Sequence, residues 1–76
     1  MSESLVGTII SRDIAVLGDL TYGFIGIETD NHQTLKVKIS AHTHWDDLNV
    51  GDRVRVVGTL FHKDRIFTAE EVSKIS

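Results

Sequence analysis

Residues 51–60 read GDRVRVVGTL, and this stretch decides the kind of fold. Its valines at positions 54 and 56 alternate with two arginines, which is the two-residue period of a strand with one buried face. The glycine that opens the stretch marks a turn in front of that strand. The pattern therefore predicts a β-strand over residues 52–60, with Val54, Val56 and Leu60 facing the core.

The same alternation, with frequent β-branched residues, runs through most of the chain and predicts an all-β protein. In the first strand, Val6 and Ile10 share one phase, whereas Ile9 has the other. A long strand that bends and serves two faces of a closed barrel has this pattern. Five strands are predicted, over residues 5–17, 22–30, 34–40, 52–60 and 66–72.

A short hairpin connects the second and third predicted strands. Residues 31–33 read Asn-His-Gln and fit a three-residue loop in which the asparagine tolerates a positive φ. A loop of this length sets Glu28 opposite Lys36 and Gly26 opposite Lys38. Opposed residues share a face of the sheet, so these four side chains are expected on the same side.

The alternation stops between His42 and Val50. Within this segment Trp45 and Leu48 are three residues apart, the spacing of neighbours on one side of a helix. A short helix is therefore predicted between the third and fourth strands.

Composition limits the classes of protein that the chain can represent. It has 76 residues, of which 41% are hydrophobic and 25% charged, and this balance predicts a single globular domain spanning residues 1–76. The absence of Cys excludes disulfides, thiolate zinc sites and cysteine nucleophiles. No apolar run approaches the length of a membrane span, and residues 1–4 lack the features of a signal peptide. A cytoplasmic location without membrane contact is expected.

Charge is unevenly distributed along the chain. The formal net charge is −3, which argues against a strong, non-specific polyanion binder. Residues 35–65 nevertheless contain six Lys and Arg against four Asp, whereas the remainder contains two basic against seven acidic residues. This distribution permits a localised anion-binding face in the middle of the chain.

The order of three strands, a short helix and two strands resembles the OB fold, a five-stranded Greek-key barrel. The similarity covers nearly the whole chain. The segments that carry it are Val6-Gly7-Thr8-Ile9, residues 51–60 and Ala69-Glu70-Glu71-Val72.

The resemblance implies a single-stranded nucleic-acid binder that uses the surface of strands two and three and the flanking loops. On such a surface, aromatic rings stack on bases while ammonium and guanidinium groups meet phosphates, and a glycine lets a base or sugar approach the backbone. Either DNA or RNA fits this implied partner. The residues that match the implied site are Tyr22, Phe24, Gly26, Lys36, Lys38, Lys63 and Arg65.

The sequence gives little support for catalysis or metal binding. No nucleophile elbow or Walker-type glycine loop is present, so no enzymatic activity, catalytic residue or cofactor is predicted. His42 and His44 lack a cysteine partner or a recognised ligand spacing, so no metal site is predicted.

The alternative function is a protein-interaction module or a subunit of a larger assembly, in which exposed Tyr22, Phe24 and Val57 serve as interface anchors. The oligomeric state stays open. A purely structural alternative also stays open for Tyr22 and Phe24. In that case the loop at residues 18–21 covers the two rings, or a bulge turns them inward.

Overall fold

Five long strands close into a barrel in the computed structural model, which describes residues 2–61, 63 and 65–75. The strands are β1 (Glu3–Leu17), β2 (Leu20–Thr29), β3 (Thr34–Ile39), β4 (His44–Trp45), β5 (Arg53–Phe61) and β6 (Ile66–Lys74). Neighbouring strands pair in the order β3-β2-β1-β5-β6, and a pairing between β3 and β6 closes the ring. That closing pair is parallel, whereas the other pairs around the barrel are antiparallel. The five predicted strands are confirmed as β1, β2, β3, β5 and β6.

Alternate side chains of the five strands fill the interior of the barrel, as the two-residue period requires. Val54 and Val56 are fully buried, as predicted, and Leu60 packs against the core from a partly buried position. The buried apolar residues are Ile9, Ile25, Ile27, Val37, Ile39, Leu48, Val54, Val56, Phe67, Ala69 and Val72.

No helix with the length and apolar character of a membrane span occurs in the described part of the chain.

The first strand bends at a bulge. Its pairing with β2 shifts between Ile9 and Ser11, so Ile10 is the extra residue. Beyond the bulge the core-facing positions change parity, from Ile9 before it to Ile14 after it, because one additional residue exchanges the two faces of the strand. The amino-terminal part of β1 pairs with β5, and the part from Gly7 onward pairs with β2.

The hairpin of β1 and β2 extends past the end of β3. In chain order, Gly23 is the first residue of β2 that pairs with β3. Residues 15–17 and 20–22 lie beyond that pair and are matched to each other; we call them the hairpin arm. Gly18 and Asp19 form the two-residue turn at its tip. Gly18 has a φ of 59°, as a glycine at the first central position of a type II′ turn requires.

The register between β2 and β3 differs from the predicted one by two residues. Glu28 lies opposite Thr34, and Gly26 lies opposite Lys36. The connection is residues 30–32 rather than the predicted 31–33, because Thr29 pairs with Gln33: the Thr29 N–H donates to the Gln33 carbonyl at 2.8 Å. A shift of two residues keeps each side chain on its predicted face.

The turn between β2 and β3 places its positive φ at a different residue from the one expected. His32 has a φ of 65°. Asn31 instead forms a side-chain hydrogen bond with the Thr29 hydroxyl. The His32 N–H donates to the Thr29 carbonyl at 2.9 Å and tightens the turn further.

The predicted short helix between the third and fourth strands is wrong. The described residues 40–52 contain turns and the two-residue strand β4, which pairs in parallel with β6. Thr43 is buried and its hydroxyl donates to the Ala69 carbonyl at 2.7 Å. These bonds to β6 hold the backbone extended, so the helical i→i−4 pattern cannot form there. Trp45 and Leu48 still pack on the core, Trp45 from β4 and Leu48 from the irregular segment that follows it.

Candidate nucleic-acid interface

The outer face of β2 and β3 carries aromatic and cationic side chains in adjacent rows. Ile25 and Val37 alternate with them and are buried, so the intervening residues face outward. Phe24 lies directly opposite Lys38, and Gly26 lies directly opposite Lys36. The structure therefore brings together four of the seven predicted site residues on one surface.

Both aromatic rings of β2 lie outside the barrel. Tyr22 is 52% exposed, and Phe24 is half-buried on the outer face. The turn after β1 is too short to cover them, and the bulge lies in β1 rather than β2. The predicted outward orientation is confirmed. Tyr22 belongs to the hairpin arm, opposite Ala15, and is therefore one step removed from the lysines.

Lys36 lies over the ring of Phe24. Its Nζ is 4.3 Å from the ring centroid, which is the geometry of a cation–π interaction. This contact crosses the sheet diagonally, because Lys36 is directly opposite Gly26. The face of Phe24 is thus already occupied by a flexible ammonium group.

A shallow groove of about 310 Å³ runs beside Phe24 and crosses three strands. Ser11 and Asp13 of β1 form one wall, a contribution that the sequence reasoning missed. Ile9 faces the core, so unbroken alternation would turn both residues inward, and the bulge at Ile10 turns them outward instead. The lining residues are Ser11, Asp13, Phe24, Ile25, Gly26, Thr34, Leu35 and Lys36.

Gly26 forms part of the floor of this groove, although the space above it is not empty. A Cβ atom placed on Gly26 would lie 2.4 Å from the Ser11 Oγ and 3.4 Å from the Ile10 Cγ1. The missing side chain therefore makes room for the Ser11 hydroxyl.

The outer face continues from β3 onto β6 and β5. Ile66 lies next to Lys36, and Phe61 lies next to Ile66. Phe61 is 53% exposed and was missed because the fourth strand was predicted to end at Leu60. Extending its alternation by one more step would have placed Phe61 outward with Thr59.

The connection between β5 and β6 carries the last two predicted site residues. Lys63 and Arg65 are both exposed, and the described lining of the groove does not include them. Arg65 N–H donates to the Phe61 carbonyl at 2.8 Å, so the loop rises directly from the edge of the outer face. His62, which precedes Lys63 in the sequence, lies outside the described residues.

Arg53 is engaged elsewhere and is therefore not a free cation. Its two terminal nitrogens donate to the carboxylate oxygens of Asp30 at 3.1 and 3.2 Å. These hydrogen bonds, and then the guanidinium charge, lower the pKa of Asp30 from its ordinary value. The pair joins the turn after β2 to the start of β5.

Among residues 2–61, 63 and 65–75, no three His, Asp or Glu side chains are grouped so that they could hold a metal ion.

Comparison with known proteins identifies the architecture. Neither the protein-family models nor the curated proteins contain a match to this sequence. Among solved structures, the chain is similar to the N-terminal domain of the PriB protein from Thermoanaerobacter tencongensis, whose structure is dimeric. The TM-score is 0.73 at 20% identity, over 99% of this chain and 96% of that one.

The chain has an OB fold. The resemblance seen in the sequence is thereby confirmed for the architecture, and the small β4 takes the place of the expected helix. At 20% identity the likeness extends to the fold alone, so the ligand of this OB fold is argued from its own surface residues.

Proposed function

We propose that this OB-fold protein binds single-stranded nucleic acid, DNA or RNA, across the outer face of β2 and β3. The observation that carries the proposal is the cluster at Phe24. Its ring faces outward, Lys36 Nζ lies 4.3 Å from the ring centroid, and Lys38 lies directly opposite on β3. An aromatic platform next to paired cations suits a base attached to a phosphate.

A base that stacks on Phe24 must displace the ammonium of Lys36. A cation–π contact at an exposed site contributes about 0.5–1 kcal/mol, whereas stacking of one base on an aromatic ring contributes about 1–3 kcal/mol. The exchange is therefore favourable. The displaced ammonium remains beside the platform, where it can meet a phosphate.

Tyr22 extends the platform along β2. It lies two residues from Phe24 on the same face, a separation of roughly 7 Å along a strand. Its exposure leaves one side of the ring free for a second base. Lys63 and Arg65, in the loop beyond Phe61, add positive charge at the other end of the face. Together with Lys36 and Lys38 they make up half of the eight Lys and Arg residues of a chain whose net charge is −3.

Replacing Phe24 by leucine is expected to weaken binding to an oligo(dT) or oligo(U) strand. The leucine keeps an apolar side chain at the edge of the groove but removes the stacking surface, so about 1–3 kcal/mol of binding free energy is lost. Fluorescence anisotropy titration of a labelled oligonucleotide measures this change. Val50→Ala is the matched control, because Val50 is an exposed apolar residue of the segment between β4 and β5.

Equal affinities of the Phe24→Leu variant and the wild type, with unchanged thermal unfolding, would remove the stacking role. Repeating the titration over a series of salt concentrations tests the cations in the same experiment. Four phosphate contacts, at Lys36, Lys38, Lys63 and Arg65, correspond to a log–log slope of about −3 for a single strand. Binding that does not depend on salt contradicts the proposal.

Self-association through the hairpin arm is a second candidate function. Val16, Leu17 and Leu20 are all exposed on the arm, and within the described part of the chain the arm strands pair only with each other. Unpaired strand edges with apolar side chains are sites of association, and the similar PriB domain is dimeric.

Light scattering after size exclusion is expected to give twice the monomer mass, and Leu20→Lys is expected to restore the monomer. A monomeric wild-type protein contradicts this candidate.

A further inference from the structure

Phe24 has opposite charges on its two sides. Asp13 of β1 is directly opposite Phe24 on one side, and Lys38 of β3 is directly opposite on the other. Asp13 is exposed and lines the groove beside the ring. Within residues 2–61, 63 and 65–75, the ion pairs join Arg53 to Asp30 and Lys74 to Asp52, and none involves Asp13.

This asymmetry orients a nucleotide that stacks on Phe24. A phosphate is repelled by the Asp13 carboxylate and attracted by the lysine ammonium groups, so the sugar–phosphate backbone lies on the β3 side. The edge of the base then points across the ring toward β1. In this orientation the Asp13 carboxylate lies next to the base edge, where N–H donors are available.

The hydrogen-bonding chemistry of Asp13 selects among the bases. An ionised carboxylate only accepts hydrogen bonds, through two oxygens. Guanine offers two adjacent donors on its Watson–Crick edge, N1–H and the N2 amino group, whereas cytosine and adenine offer one amino group next to a ring acceptor. Thymine and uracil offer a single N–H between two carbonyl oxygens. Guanine alone matches both carboxylate oxygens at once.

Ser11 adds a donor beside the carboxylate. It is two residues from Asp13 on the same wall of the groove, and its Oγ lies over the Gly26 backbone. A hydroxyl at this place can donate to the guanine O6, which follows N1 on the same edge. The acceptor–acceptor–donor order of Asp13 and Ser11 thus complements the donor–donor–acceptor order of guanine.

We propose that the groove beside Phe24 selects a guanine base stacked on the Phe24 ring, with Asp13 accepting from N1–H and N2–H. This specificity rests on the proposed single-stranded nucleic-acid binding. It makes Asp13 a specificity-determining residue.

The test is titration of labelled dT oligonucleotides that carry one central dG, dA, dC or dT. The wild-type protein is expected to bind the dG strand about 5- to 20-fold more tightly than the all-dT strand, within the range for a bidentate base contact. Asp13→Asn is expected to abolish this preference, because an amide presents one acceptor and one donor. The same variant is expected to bind the all-dT strand as well as or better than the wild type, since a repulsive charge is gone.

Asp47→Asn is the matched control, because it removes the same charge from an exposed residue that does not belong to the described lining of the groove. The control is expected to keep the preference for dG. A merely structural role of Asp13 would weaken the variant's binding to every strand equally, and that result overturns the proposal. Equal binding of all four strands by the wild type overturns the guanine specificity alone, whereas binding of none overturns the nucleic-acid function with it.

Discussion

Replacing Leu48 by alanine is expected to lower the free energy of unfolding by about 2–5 kcal/mol, as for other large-to-small substitutions in a core. Leu48 is 0% exposed and belongs to the core cluster, although it lies in the irregular segment between β4 and β5. The cavity left behind cannot be closed by the surrounding strands, whose backbones are fixed by the barrel ladder. In a protein of this size the melting temperature falls by at least roughly 8 °C.

Val50→Ala is the matched control for this substitution. Val50 lies two residues further along the same segment but is 62% exposed, so its truncation is expected to change stability by less than about 0.5 kcal/mol. Urea unfolding of both variants gives the comparison. Similar stabilities of the two variants would show that the burial of Leu48 contributes little to the stability of the core.

Replacing Gly58 by alanine is expected to cost about 3 kcal/mol or more, at the upper end for overpacking of a folded interior. Gly58 lies at the irregularity where β5 and β6 shift their register. A Cβ atom there would lie 2.0 Å from the Thr68 carbonyl oxygen and 2.9 Å from the Phe67 ring. Relief requires movement of the β6 backbone, which also pairs with β3. A fall in melting temperature of roughly 12–24 °C follows.

Gly18→Ala separates this steric cost from the cost of an unusual backbone conformation. No atom lies within 4 Å of a Cβ built on Gly18, but its φ is +59°, so the variant is expected to lose about 1–2 kcal/mol. Thermal unfolding followed by circular dichroism measures both variants. If Gly58→Ala is no more destabilising than Gly18→Ala, the close approach of β6 to Gly58 is not rigid.

The strand content of the fold was predictable because it follows from local alternation. Val54 and Val56 lie in the core where the pattern of residues 51–60 puts them. The bend predicted in the first strand is also present, at the bulge formed by Ile10. Burial of one face of a strand produces an alternation of apolar and polar residues, so these features can be predicted from the sequence alone.

The segment between β3 and β5 was predicted wrongly because its conformation depends on distant partners. The spacing of Trp45 and Leu48 is equally compatible with a helix and with an extended segment that enters the core twice. The Thr43 hydroxyl decides between them by donating to the carbonyl of Ala69, 26 residues away in the sequence. No pattern within the segment reports such a bond.

The candidate site was predicted in part. Tyr22, Phe24 and the two lysines of β3 followed from alternation on adjacent strands, and a register error of two residues left their faces unchanged. That error did change the neighbours: Phe24 is opposite Lys38, and Lys36 reaches the ring from the diagonal position. The role of these residues in binding remains a proposal that the titrations test.

Alternation alone was sufficient for the strands and for the outward row of aromatic and cationic side chains, because the period of a strand records which side chains are buried. The closed barrel was what the resemblance to the OB fold implied. Tertiary structure alone decided which residues meet across that face. One bulge in β1 turned Ser11 and Asp13 outward beside Phe24, and the closing pair of β3 and β6 brought Ile66 next to Lys36. These contacts join residues far apart in the chain, so their geometry is set by strand register and barrel closure rather than by any local pattern.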